Sequence, residues 1–192
     1  MSAAMDDPLL DAALDAALER APDEGWTRAM LRRAVTDAGS DPELAESLFP
    51  RGPVSAIAAW SRRSDQRMEQ AAGDLSGLRT PERIRRVIEA RLTEAEPHRE
   101  ALRGALAVLA TPWNLGLAAT LTAETVSAMW YAAGDSSADF SWYTRRATLA
   151  GVYGATLAYW MSPSGPDLPE TLAFLDRRLA DLPKPRRKPE AA

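Results

Sequence analysis

The chain contains no cysteine. That excludes disulfides, thiolate nucleophiles and cysteine-based zinc sites together, and the composition is consistent with a reducing compartment. Histidine is nearly as scarce, since His98 is the only one. A di-iron carboxylate site draws Glu-x-x-His elements from two helices, and one histidine does not supply two. Ser136 and Asp139 have no neighbouring base, so no Ser-His-Asp arrangement can be argued. His98, directly after Pro97, reads as a helix-start or surface residue. Asp135 and Asp139 are explained more simply by helix capping than by acid–base work. The expectation is of a protein that is not an enzyme, with no catalytic residue, no metal ligand and no cofactor.

Two further absences set the fold class. No stretch alternates apolar and polar residues with β-branched side chains, so strands are not expected. No uninterrupted apolar run suits a membrane span. Gly104 to Ala123 is free of charge, but Pro112 and Asn114 break its centre, and alanine rather than leucine dominates it. The N-terminus is acidic and lacks a basic targeting stretch, which leads to the expectation of a bacterial, cytoplasmic protein. Net charge is −4 and 46% of the 192 residues are hydrophobic. That is the balance of a soluble globular domain without broad attraction for nucleic acid or anionic lipid.

What remains reads as helix nearly throughout. Leu10, Leu14 and Leu18 form one apolar stripe from Pro8 to Arg20. Trp26 to Ala38 follows, with Thr27 as N-cap and Gly39 just past its end. Short and long helices are expected over Pro42–Leu48, Val54–Leu75, Pro81–Glu94, Pro97–Ala110, Pro112–Gly134, about Ser136–Met161 and Pro169–Leu182. Ser136 and Asp139 stand at capping-box spacing. Residues 1–182 are expected to form a single all-helical domain, and 183–192 a basic, proline-rich disordered tail.

Three patterns bear on function. Leu168, Leu172, Leu175, Leu179 and Leu182 alternate spacings of four and three, a heptad-like seam for a second helix, whether in a dimer or in the same chain. Ala147 to Met161 is uncharged and reads as a helix buried on all sides. With Leu115 to Met129 it either lines an apolar cavity or packs as solid core. From the spacing, Trp113, Leu117, Leu121, Leu149, Val152 and Tyr153 are the candidate lining residues. Finally, five of the thirteen aromatic residues lie between Trp130 and Tyr143. Neighbours on a helix point about 100° apart, so Trp130 and Tyr131 cannot both face one core, nor can Trp142 and Tyr143. The cluster is either a protein-binding hot spot or a corner where large rings seal the core.

The run Met129 to Trp160, MWYAAGDSSADFSWYTRRATLAGVYGATLAYW, resembles the signature of the COQ9 (COQ-nine) family of accessory proteins in ubiquinone biosynthesis. Gly25-Trp26-Thr27, Leu48-Phe49-Pro50-Arg51-Gly52, Pro112-Trp113-Asn114, Thr171 and Phe174-Leu175-Asp176-Arg177-Arg178 match in the family's order. The resemblance implies an all-α bundle of about nine helices like that of TetR-type repressors. It implies a homodimer formed through the last two helices, with Leu168, Leu172, Leu175 and Leu179 at the interface. Residues 1–52 would then be a degenerate helix-turn-helix-like part, and 53–182 a ligand-binding and dimerisation part. The resemblance further implies an isoprenoid or quinone-like lipid as ligand, and the di-iron demethoxyubiquinone hydroxylase as partner. Matched residue by residue, the partner patch is Met129, Asp139, Trp142 and Tyr143. Ser127, Ala138, Ser141 and Arg145 depart from the family's usual Asp, Thr, Asn and Lys, which puts the docking details in question. The membrane-contacting helix of mitochondrial members is replaced by Pro183-Lys-Pro-Arg-Arg-Lys, so only a weak peripheral contact at the inner membrane is expected.

The alternative is a TetR-like transcriptional regulator that senses a small apolar ligand. Charge opposes it. From Met1 to Gly52 there are eleven carboxylates against five arginines, whereas phosphate contact dominates DNA affinity and needs positive charge. No nucleic-acid partner is expected.

Overall fold

A computed structural model describes residues 7–134 and 141–182, with the backbone alone for 141 and 142. Among these residues there are nine α-helices and no strand. They are α1 (Pro8–Glu24), α2 (Arg28–Asp37), α3 (Leu44–Leu48), α4 (Pro53–Ala72), α5 (Thr80–Ala95), α6 (Arg99–Leu109), α7 (Leu115–Ala132), α8 (Ser141–Trp160) and α9 (Leu168–Ala180). Short 3-10 turns, Glu96–His98 and Pro112–Asn114, lead into α6 and α7.

The boundaries follow local chemistry. Asp7 caps α1 by accepting from the Leu9 and Leu10 amides. Thr27 Oγ1 accepts from the Met30 amide at 3.0 Å and starts α2. Glu82 reaches back to the Arg79 amide at the start of α5, at 3.0 Å. Asp167 and Glu170 exchange bonds at the start of α9, with Glu170 N to Asp167 Oδ1 at 2.8 Å and Asp167 N to Glu170 Oε2 at 3.2 Å. Such reciprocal caps satisfy amides that have no partner within the helix. Gly39 takes a positive φ of 78° after α2, a conformation that costs other residues a steric clash. Ser136 and Asp139, at capping-box spacing in the sequence, lie outside the described residues, as does the tail from 183.

The helices bury two adjoining clusters. The first joins α1, α2, α3, the start of α4 and two alanines of α6, Ala101 and Ala105. Trp26 ties it together: its indole N–H donates to Ala101 O at 2.9 Å, and its ring stacks on Trp60 at 5.9 Å. Arg63 of α4 is buried and reaches α1, donating to Asp11 O at 3.0 Å and Asp15 Oδ1 at 2.7 Å. The second cluster joins the rest of α4 with α5, α7, α8 and α9. Arg83 clamps its far end by donating to Ser76 O, Leu78 O and Ala133 O. Arg99 and Arg103 donate to the last carbonyls of α8, Trp160 O and Met161 O, where positive charge is favoured by the helix dipole.

One expectation is corrected here. Helix α8 is not buried on all sides. Leu149, Val152, Tyr153, Thr156 and Trp160 face the core, while Ala147, Gly151, Gly154, Ala155 and Ala158 are exposed. An absence of charge predicts a helix sealed within its own chain, but this one leaves a bare face. The leucine stripe of α9 makes contacts inside the protomer. Leu175 is fully buried, and Leu168, Leu172, Leu179 and Leu182 pack on the second cluster of the same chain. The heptad-like spacing serves the contact of α9 with α5 and α8, and Leu168, Leu172, Leu179 and Leu182 are only half-buried in the protomer.

No single helix among the described residues is long and apolar enough to cross a membrane. The helices on either side of Thr111 meet length and composition only as a pair bent by 94°.

Candidate functional site

Five helices turn one stripe each toward a common cavity. From α4 come Ile57, Trp60 and Ser61; from α5, Arg91; from α6, Leu102, Ala105, Leu106 and Leu109; from α7, Ala118, Leu121, Thr122 and Thr125; from α8, Tyr153 and Leu157. The spacings of three and four within each helix put these side chains on one face. The space they enclose is about 120 Å³. A cavity of ~150 Å³ holds a benzene-sized ring, so the space suits a ring-sized group but not a long polyprenyl lipid.

The cavity is two-sided in character. Its outer wall, Leu106, Leu109 and Ala118, is apolar and partly exposed. Its inner wall carries Trp60, Arg91, Thr125 and Tyr153, all buried. Arg91 Nε donates to Asp65 Oδ1 at 3.1 Å, and Thr125 Oγ1 donates to Asp65 Oδ2 at 2.9 Å. Arg91 Nη1 also lies 3.5 Å from Glu94 Oε2. A buried ion pair is tolerated only when its remaining hydrogen-bonding capacity is used, and Thr125 provides part of that. Burial pushes the Asp65 carboxyl up from its ordinary range, against Arg91 and Thr125, which hold it down. Burial likewise raises the Tyr153 phenol, which Arg91 partly offsets. The indole N–H of Trp60 is buried with no acceptor among the described residues.

The candidate lipid residues separate in the structure. Leu121 and Tyr153 line the cavity. Leu149 and Val152 are buried in the second cluster, and Leu117 is half-buried on α7. Trp113 is 80% exposed. Sequence reasoning missed Trp60 and Arg91. The signal was present: Ile84, Ile88, Arg91 and Ala95 share one stripe of α5, and a charge inside an apolar stripe calls for a buried partner. Asp65, within the stripe of Ile57, Ser61, Ser64 and Met68 on α4, is that partner.

The aromatic cluster divides as adjacent helical positions require. Trp130 is buried, and Tyr131 next to it is 74% exposed. Tyr143 is 71% exposed, whereas Met129 is fully buried and does not reach the surface of the protomer. Asp139 and the Trp142 side chain lie outside the described residues. His98 sits half-buried at the end of its 3-10 turn. Among the described residues no three His, Asp or Glu side chains come together as a metal site would require.

Comparison with known proteins agrees with this architecture. The family described as COQ9 matches residues 115–184. The ubiquinone biosynthesis protein COQ9, mitochondrial, of Rattus norvegicus is 34% identical over 88% of the chain. Its Homo sapiens counterpart is 32% identical over the same share. The chain spans about half the length of these curated relatives, 56% and 55%. Among solved structures, a TetR transcriptional regulator from Nitrosomonas europaea superposes with a TM-score of 0.73 at 25% identity, covering 91% of this chain and 97% of that one. A putative TetR-family regulator from Rhodococcus sp. has a TM-score of 0.62 at 17% identity and supports the fold alone. The all-α, TetR-like bundle is therefore established. The mitochondrial names of the relatives overturn the expectation of a cytoplasmic protein. That expectation rested on the acidic start of the sequence, and where a sequence begins is no guide to its compartment.

The Asp65–Arg91 pair generates a stability test. Removing one partner of a buried pair costs about 3–5 kcal/mol. Asp65→Ala should lose that much in urea unfolding, and the double variant Asp65→Ala/Arg91→Met should lose clearly less than the two single losses added together. Additive losses would show that the two groups do not interact. The sign with pH is also set. A carboxyl raised in the folded state lends stability that is complete below its unfolded value and lost as pH rises through the folded one. Wild type should accordingly gain on Asp65→Asn as pH falls.

Proposed function

Because the chain belongs to the COQ9 family of ubiquinone biosynthesis proteins, we propose that it is a non-catalytic, lipid-binding accessory protein. In this reading it presents an isoprenoid quinone precursor to the di-iron demethoxyubiquinone hydroxylase. The observation that carries the proposal is the apolar-mouthed cavity with a polar inner wall. A water-soluble carrier of such a lipid needs that combination, because apolar surface drives burial and a polar head buried without partners is costly.

The proposal includes a surface for the hydroxylase. Tyr131 and Tyr143 stand out from the ends of α7 and α8, within the signature run. Large exposed aromatic rings are favoured anchors of protein interfaces. Met129 would support such a surface from beneath rather than touch the partner.

A homodimer is the second element. The bare face of α8 contains Gly151 and Gly154, and a Cβ added at either meets nothing within 4 Å. Glycine in a helix interior costs about 1 kcal/mol relative to alanine, and nothing in the protomer requires it here. A second copy of the helix approaching closely gives those glycines a purpose. In this reading the interface joins the small residues of α8 to the half-buried leucines of α9, Leu168, Leu172 and Leu179.

The reading as a ligand-sensing regulator draws on the likeness to the Nitrosomonas europaea regulator. The N-terminal helices weaken it. Helix α3 has only five residues, and Arg32 before it is paired with Glu43. Arg20 and Arg33 are paired with Asp37 and Glu24. Cations so engaged are poorly placed to contact phosphate.

Tyr143→Ala should remain folded and lose capture of the purified hydroxylase, while wild type retains it; equal capture by both would remove the docking surface. In gel filtration the wild type should elute as a dimer and Gly154→Arg as a monomer. A wild type at monomer mass across a wide concentration range would rule out the dimer.

A further inference from the structure

The two ends of the cavity differ in what they offer a ligand, and the difference sets a direction. At the inner end, Trp60 is 3% exposed and its indole N–H has no acceptor among the described residues. Arg91, Thr125 and Tyr153 line the same wall. Arg91 Nε and Thr125 Oγ1 direct hydrogen bonds to Asp65, whereas the Trp60 indole N–H is buried without one among the described residues. A buried donor without an acceptor costs roughly as much as a lost hydrogen bond, and native interiors leave few of them. The size of the space, about 120 Å³, matches a single ring.

The outer end has the opposite character. Leu106, Leu109 and Ala118 form a rim without a charged group, since no residue from Gly104 to Ala123 is charged. One turn before Ala118, Trp113 is 80% exposed and Leu115 54% exposed. Asn114 Nδ2 donates to Val108 O at 2.9 Å and holds this apolar corner against the end of α6. The rim and the corner together extend the apolar lining out of the cavity and across the surface.

We propose that the site binds its ligand head first. A ring bearing hydrogen-bond acceptors, such as the carbonyls of a quinone, enters to meet the Trp60 indole N–H. The hydrocarbon tail leaves between α6 and α7 and lies over Trp113 and Leu115. This rests on the lipid-binding reading above and adds an orientation, a specificity residue and an exit. Trp60 supplies selectivity for a head with an acceptor, and the α6–α7 rim supplies selectivity for a tail.

Indole N–H resonances of the six tryptophans in nitrogen-edited NMR test the orientation. Trp60→Phe identifies the Trp60 signal by its loss. The probes are a dimethoxybenzoquinone with two isoprene units, the same ring without a tail, and a hydrocarbon of two isoprene units. Both ring probes should move the Trp60 signal downfield, and the hydrocarbon should not. Trp60→Phe should weaken both ring probes about three- to tenfold, the range of one hydrogen bond, and leave the hydrocarbon unchanged. Leu109→Gln at the rim should weaken the tailed probe and spare the bare ring. Should Trp60→Phe fail to fold, the signal can be assigned through space from Trp26, whose ring stacks 5.9 Å away, and the wild-type spectrum decides. Tailed quinone that binds with the Trp60 signal unmoved and with undiminished affinity for Trp60→Phe overturns the orientation and leaves lipid binding standing. Failure of all three probes to bind overturns lipid binding as well.

Discussion

Asp65 and Arg91 face each other across α4 and α5, and Thr125 of α7 completes the contact. Three helices converge on this one polar point inside an otherwise apolar cluster. Neither charge is stable there alone, because the interior does not solvate it. The pair consequently restricts α4, α5 and α7 to relative positions in which all three groups meet. Those positions also open the cavity, since Arg91 and Thr125 are part of its wall. A well-packed set of hydrocarbon side chains in their place would hold the helices as firmly, but would leave the inner wall without polar character.

The rest of the protomer supports that point from two sides. Trp26 and Trp60 join the N-terminal cluster to the floor of the cavity, and Arg63 anchors the same helix to α1. On the other side, arginines rather than side-chain caps satisfy the ends of α7 and α8, with Arg83 on Ala133 O and Arg99 on Trp160 O. Both helices reach the aromatic signature at their facing ends. Tyr131 and Tyr143 are exposed at those ends of two helices that line the cavity.

Much of this was legible in the sequence, for identifiable reasons. The 3.6-residue period, the prolines and the caps located the helices, because those signals are local. The opposed exposure of Trp130 and Tyr131 followed from helix geometry. Errors arose where the partner of a face lies far along the chain. The leucine stripe of α9, by contrast, has the spacing of a helix seam, and in the protomer it meets α5 and α8 with Leu175 alone among its leucines fully buried. The uncharged α8 gave no polar residue to mark its bare side, where small residues stand instead of charges. Among the expected cavity residues, Leu121 and Tyr153 line it, whereas Trp60 and Arg91 were missed because α4 and α5 fold back from distant sequence. The stray charges of Asp65 and Arg91 within apolar stripes were the available clue, and they become informative only as a pair.

The central claim is that the cavity takes the ring of an isoprenoid quinone. The direct measurement is to equilibrate the purified protein with liposomes containing such a quinone, separate the protein, and quantify the quinone in its organic extract by mass spectrometry, beside an unrelated protein handled identically. The account predicts quinone enriched with this protein over the unrelated one, and less of it when Leu121→Trp fills the cavity. Equal, background amounts in all three extracts would contradict it.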